Sequence, residues 1–209
     1  NKSGQALDIE VVDGIQNLLP AGVNSNLQET RSTLVDAYKK NELVPETGLG
    51  VFSLSAMIVD KAEPSEALSA TTVWSKGLDN PNYLMSSVQL NAFRRGEELT
   101  QEVFTKAIKA AYFVNAKLTL ELNAAKEWYT VAEVNQSSAK VLDLNAQISS
   151  GSDLLQEIGA DVKRKTANLE KLVGLADGLQ KGQDKLSTTR HYSNVLFNIM
   201  RGGIFENQY

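Results

Sequence analysis

The sequence predicts an α+β fold: half of an antiparallel β-sandwich followed by linker helices. Three observations point there. Up to about residue 136 the apolar residues recur at every second position, and beyond it they recur every three to four. Turn-forming Gly, Pro, Asn and Asp cut the first part into five to seven short segments at the spacing of a sandwich. At 209 residues with 42% hydrophobic side chains, the chain is long enough to bury a core without staples.

The strands follow in order. "LDIEVV", beginning at Leu7, is the first, ended by Asp13-Gly14. "STLVDAYKKNELV" is a weaker one, from Ser32 to Val44, ended by "PETG". "GLGVFSLSAMIVD" is apolar on both faces, as in a central strand covered on both sides. "DKAEPSE" breaks the chain, since Pro64 suits a loop and not a sheet interior. "ALSATTVWS" is β-branched and reads as a strand. "NYLMSSVQLNAFRRGEELTQEVF" fits either a strand with a loop or a short helix. "AYFVNAKLTLEL" alternates most clearly, with Tyr112, Val114, Ala116, Leu118, Leu120 and Leu122 on one face. After the turn "NAAKE", "WYTVAEV" places Trp128, Thr130, Ala132 and Val134 together, so the two strands are expected to form a hairpin.

From Ser138 the period is helical, through Val141, Leu144 and Ile148. Ser152 is the expected cap of the next helix. That helix carries Leu155, Ile158, Val162, Leu169, Leu172, Ala176 and Leu179 in alternating steps of three and four, with Lys165 in the missing place. This is the spacing of a coiled-coil seam. A last helix, Ser187 to Arg201, has Tyr192, Val195, Leu196 and Ile199 on one face and stops at Gly202-Gly203. The expected division is residues 1–136 for the sandwich, 137–186 for the linker helices and 187–209 for the start of a further helical domain.

Composition removes several function classes. The net charge is -4 with both signs interspersed, so nucleic acid is not an expected partner. The absence of cysteine excludes disulfides, thiolate metal sites and a Cys nucleophile, and fits a reducing compartment, so a cytoplasmic location is expected. No apolar run approaches the roughly 20 residues of a membrane span. The start lacks a Met and a signal-peptide core, so a processed product or a piece of a longer protein is expected.

The chemistry is sparse. His191 is the only imidazole, at the start of an apolar helix, which suits capping or packing better than a triad. One His and no Cys leave no ordinary zinc set. Glu97 and Glu98, as sequence neighbours, point different ways and make a poor glycosidase pair. Gly48-Leu49-Gly50 precedes a strand, the wrong context for dinucleotide binding. Aromatic side chains in the strands, Trp74, Trp128, Tyr129 and Tyr112, either pack in the core or offer rings on which sugars stack.

The segments "DGIQNLLPAGV", "ETGLGVFSLSAMIVDKAEPSEAL", "TTVWSKGL" and "HYSNVLFNIMRGGIFENQY" together resemble the glucan phosphorylases of glycoside hydrolase family ninety-four. They are most similar to the branch acting on β-1,2-linked glucans and its cyclic-glucan synthase relatives. The resemblance implies an N-terminal β-sandwich, helical linker, (α/α)6 barrel and C-terminal β domain. "HYSNVLFNIMRGG" then looks like the first helix of a barrel that this chain does not contain. The family's catalytic aspartate and phosphate-binding residues lie in that barrel, so no catalytic residue is implied here. The parent chemistry implied is phosphorolysis of a β-glucosidic bond, with inorganic phosphate as co-substrate and no cofactor or metal. Arg94 and Arg95, in "NAFRRGEEL", become candidates to reach a substrate or a neighbouring subunit. The expected partners are a β-glucan oligosaccharide, the missing catalytic domain or another chain, and a second copy in a homodimer. The alternative is a free-standing carbohydrate-binding or oligomerisation module, which the coiled-coil-like seam favours.

Overall fold

A computed structural model of the chain describes residues 1–59, 65–151, 153–177 and 182–202. Strand β1 spans Leu7–Leu18 and runs straight through Asp13-Gly14, where the sequence predicts its end. Gly14 makes this possible. It lies opposite Phe113, and a Cβ there would stand 2.0 Å from the Tyr112 carbonyl oxygen. Only glycine allows so close a backbone approach. A bulge at Asn17, whose φ is 55°, precedes the end of the strand.

Helices α1 (Ser25–Thr30) and α2 (Ser32–Tyr38) come next. Asn24 caps α1, its Oδ1 accepting the Leu27 N–H at 2.7 Å. The expected strand over Ser32–Val44 is therefore half right, because only Lys39–Val44 forms one, β2. Leu34 and Val35 are adjacent, and a helical turn buries Val35 beside Val23 and Leu54 while leaving Leu34 outside. Strands β3 (Leu49–Leu54) and β4 (Ser69–Lys76) follow, with residues 60–64 outside the described ones. The ambiguous stretch contains both alternatives: strand β5 (Asn82–Leu84), then helix α3 (Leu90–Arg94). Strands β6 (Phe104–Lys106), β7 (Ala110–Leu120) and β8 (Tyr129–Ser137) lead into helix α4 (Ser138–Ser149).

The strands form two antiparallel sheets, ordered β1-β7-β5 and β6-β2-β3-β4-β8. Leu18, Tyr112 and Val114 of the first meet Leu43, Phe52 and Val73 of the second in one buried cluster. The sheets therefore pack face to face, as in a sandwich. The expected β7–β8 hairpin does not form. Both edges of β7 are occupied, by β1 and β5, so the chain crosses to the other sheet and β8 pairs with β4. There β8 is an edge strand, and Val134, expected on the inner face, is 72% exposed.

Strand β7 is buried more fully than its alternation predicts. Phe113 and Asn115 on its second face are also covered, since Leu90, Ala92 and Phe93 of α3 pack near Phe113, Leu84 and Leu99. Helix α4 lies against β4 and β8. Ser137 caps it, and Thr47 Oγ1 reaches Asn145 Oδ1 at 2.7 Å from the β2–β3 turn.

The first compact unit is Asn1–Leu154, so α4 belongs with the sheets; a second unit begins at Leu155. The second unit is carried by α5 (Leu154–Asp177) and α6 (Lys185–Gly202). The expected seam lies along α5: Leu155, Val162 and Leu172 are exposed, and Ile158 and Leu169 are half-buried. On α6, Val195 is buried and Leu196 half-buried. The expected cap Ser152, the seam residue Leu179 and the stop at Gly203 lie outside the described residues, as do the side chains of Ala176 and Ile199. Among the described residues no helix is long and apolar enough to cross a membrane.

Two substitutions test this architecture. Gly14→Ala forces a methyl group into the Tyr112 carbonyl and is expected to lower stability by about 3 kcal/mol, read by chemical denaturation. Tyr112→Phe removes the bond that the phenol hydroxyl donates to the Gly48 carbonyl at 2.7 Å. It is expected to cost about 1–2 kcal/mol with the two sheets still paired, judged by an unchanged far-ultraviolet dichroism spectrum.

Candidate functional site

The sequence nominates Trp74, Trp128, Tyr129, Arg94 and Arg95, and the structure treats them differently. Trp74 is 5% exposed, so its ring offers no face to a ligand. It sits in β4, a strand with a neighbour on each side, and every residue from Ala70 to Ser75 is buried. Its Nε1 has no hydrogen-bond partner. Tyr129 opens β8 opposite Lys76 and is half-buried. Arg95 is on the surface and holds Glu97, with Nη2 and Oε2 3.0 Å apart. The Arg95 guanidinium keeps the Glu97 carboxyl below the usual carboxylate range. The stabilisation from this pair is complete above the ordinary glutamate pKa and is lost as pH falls through the depressed one.

Of the five, Arg94 lines a cleft. The cleft, of about 420 Å³, runs between β1 and α3 on the outer face of the three-stranded sheet. Gly14, Gln16, Phe93, Arg94 and Phe113 line it. Trp128 lies elsewhere: its indole N–H donates at 2.7 Å to Asp13 Oδ2, and Asp13, paired with Val114, has its side chain on the opposite face of β1.

Each polar group of the cleft is oriented by one bond and keeps capacity for more. Gln16 Nε2 donates to Ser87 Oγ at 3.1 Å, which leaves its carbonyl oxygen to accept. Arg94 Nη1 donates to Asn91 Oδ1 at 2.8 Å, which leaves most of the guanidinium fork to donate.

Helix α3 has only five residues and is too short to hold itself in place. A carboxylate does that work. Glu102 accepts from the Met85 N–H at 2.8 Å, from Ser86 Oγ at 3.1 Å and from Gln89 Nε2 at 2.8 Å. Gln89 also accepts the Thr100 N–H at 2.9 Å. With Leu99 buried beneath, these bonds fix the loop on both sides of α3 and so position Phe93 and Arg94.

Sequence reading misses Gln16 and Phe93. A signal for the first exists. The alternation of Leu7, Ile9 and Val11 continues at Ile15, which places Gln16 inside a strand and not beyond its terminating turn. Phe93 carries no signal before α3 is known to be a helix.

Another hollow of about 420 Å³ crosses the β2–β6 edge, where Lys40 faces Lys106. There Lys40 is already paired with Glu42 at 2.8 Å. In the second unit, His191 Nε2 is buried without a hydrogen-bond partner, and the ring lies 5.9 Å from that of Tyr192. Among the described residues no group of three or more His, Cys, Asp or Glu side chains is placed to hold a metal ion. No family model matches the chain, and no curated protein is significantly similar to it.

The Asp13–Trp128 bond is open to test by fluorescence. Asp13→Ala is expected to leave the fold intact, shift tryptophan emission to the red and raise the iodide-quenchable fraction. Trp74, being buried, supplies a constant background.

Proposed function

We propose that this chain is the non-catalytic sandwich-and-helix portion of a carbohydrate-active protein whose parent resembles the β-glucan phosphorylases. Its cleft between β1 and α3 contacts a neutral gluco-oligosaccharide. The observation that carries this reading is the make-up of the cleft. The Gln16 amide carbonyl and the Arg94 guanidinium are held apart and only partly satisfied, beside the half-buried ring of Phe93. A sugar hydroxyl both donates and accepts, so a polyol uses both groups at once, and the apolar face of a pyranose suits an aromatic side chain. A simple cation would meet Arg94, a like charge in the same cleft.

One further feature supports the reading: a sandwich followed by helices is the order that the resemblance implies for the region before the barrel. Phosphorolysis then requires a catalytic domain, joined to this chain or supplied by another one, with inorganic phosphate attacking there.

The test is a calorimetric titration of the chain with β-1,2-linked gluco-oligosaccharides, with phosphate release and uptake assayed on the same sample. The expected result is binding without turnover. Arg94→Ala is expected to weaken binding about tenfold, as for the loss of one charged hydrogen bond. Absence of binding would leave a scaffold role only. Turnover by this chain alone would defeat the reading.

A further inference from the structure

We propose that helix α5 docks against α5 of a second copy of this chain, antiparallel, about an axis between Lys163 and Arg164. The starting point is the seam. Leu155, Val162 and Leu172 are 42%, 50% and 43% exposed, and Ile158 and Leu169 are half-buried on the same stripe. Isolated exposed apolar residues need no explanation, but a row in alternating steps of three and four along one helix does.

Charge decides what covers it. The one polar residue in the seam is Lys165, whose ammonium is bonded to Asp161 at 2.8 Å on the solvent side. In a parallel self-pair each seam residue faces its own copy, so Lys165 would face Lys165, two like charges in the middle of an apolar contact. In an antiparallel pair, first and fourth heptad positions face one another. The register about the proposed axis then matches every member of the seam. Leu155 faces Leu172, Ile158 faces Leu169, and Val162 faces Lys165 of the second copy. The aliphatic stem of each Lys165 lies over a valine, and its charge stays at the margin next to the second copy's Asp161. Asp161 already gathers Lys165 and Arg164 within its own helix, and its carboxyl is held below the usual range by them. The centre of the contact is therefore built from complementary charges on identical surfaces, as a two-fold interface requires.

Position 162 discriminates the alternatives without threatening the fold, since Val162 is half exposed. Light scattering over a concentration series is expected to show twice the mass of one chain. Val162→Lys sets lysine against Lys165 twice and is expected to weaken the dimer at least tenfold. Val162→Glu sets a carboxylate against Lys165 and is expected to leave the dimer as tight or tighter. In a parallel pair both variants would face themselves and both would disrupt. The chain has no cysteine, so Leu155→Cys with Leu172→Cys is expected to give disulfide-linked dimers on oxidation, and Leu155→Cys alone none. A monomer at every concentration would overturn the proposal and assign the seam to another partner. A dimer indifferent to Val162→Lys, or equally weakened by both position-162 variants, would overturn it as well. None of these readouts depends on sugar binding.

Discussion

Tyr112 is the point on which the first unit turns. It lies near the start of β7, fully buried, with its ring between the two sheets. Its hydroxyl donates to the Gly48 carbonyl of the β2–β3 turn at 2.7 Å, so one side chain ties the three-stranded sheet to the five-stranded one. Its ring lies 5.8 Å from that of Tyr83 at 45°, an inclined arrangement that contributes about 0.5–1.5 kcal/mol beyond burial. Space for it is made on the other sheet by Gly50, where a Cβ would come within 2.9 Å of the Tyr112 ring. Burial pushes the phenol far above its ordinary pKa, so it stays a neutral donor throughout the working range of pH.

The cleft follows from the same strand. The backbone of β7 at Tyr112 and Phe113 forces glycine at position 14, and that lets β1 continue to Gln16. The continuation places Gln16 beside α3, while Asp13, on the opposite face, meets Trp128 where the chain crosses from β7 to β8. A cleft that draws residues from β1 and α3 exists only because β7 is central to its sheet.

Much of the fold was legible. Period two up to Ser137 and a helical period after it mark the change from sheets to helices, and the strands β3, β4 and β7 stand where alternation or β-branching places them. The failures have physical causes. The short run between β7 and β8 looks like a hairpin loop because sequence shows a strand's length and not the occupancy of its edges. Lys39 and Asn41 occupy buried positions of β2, where alternation expects apolar residues. Lys39 is accommodated by Asp36 at 2.8 Å and Gln28 at 2.9 Å, and Asn41 by Thr105 at 2.9 Å. Such pairing of a buried charge is required, and partners on other elements leave no local pattern.

For the candidate site, Arg94 was legible as a residue but its neighbours in the cleft were not. Trp74 and Trp128 read alike in sequence, both aromatic in β-rich segments, and only their places in the fold separate a buried ring from a half-buried one. By itself the sequence determined the class of fold, the α5 seam with its single lysine, and the absence of thiol chemistry, because periodicity and composition are local properties. Tertiary structure alone decided which strand edges were free, which aromatic rings reached the surface and which polar groups met at the cleft. Those depend on contacts between residues far apart in the chain, such as the 115 positions between Asp13 and Trp128.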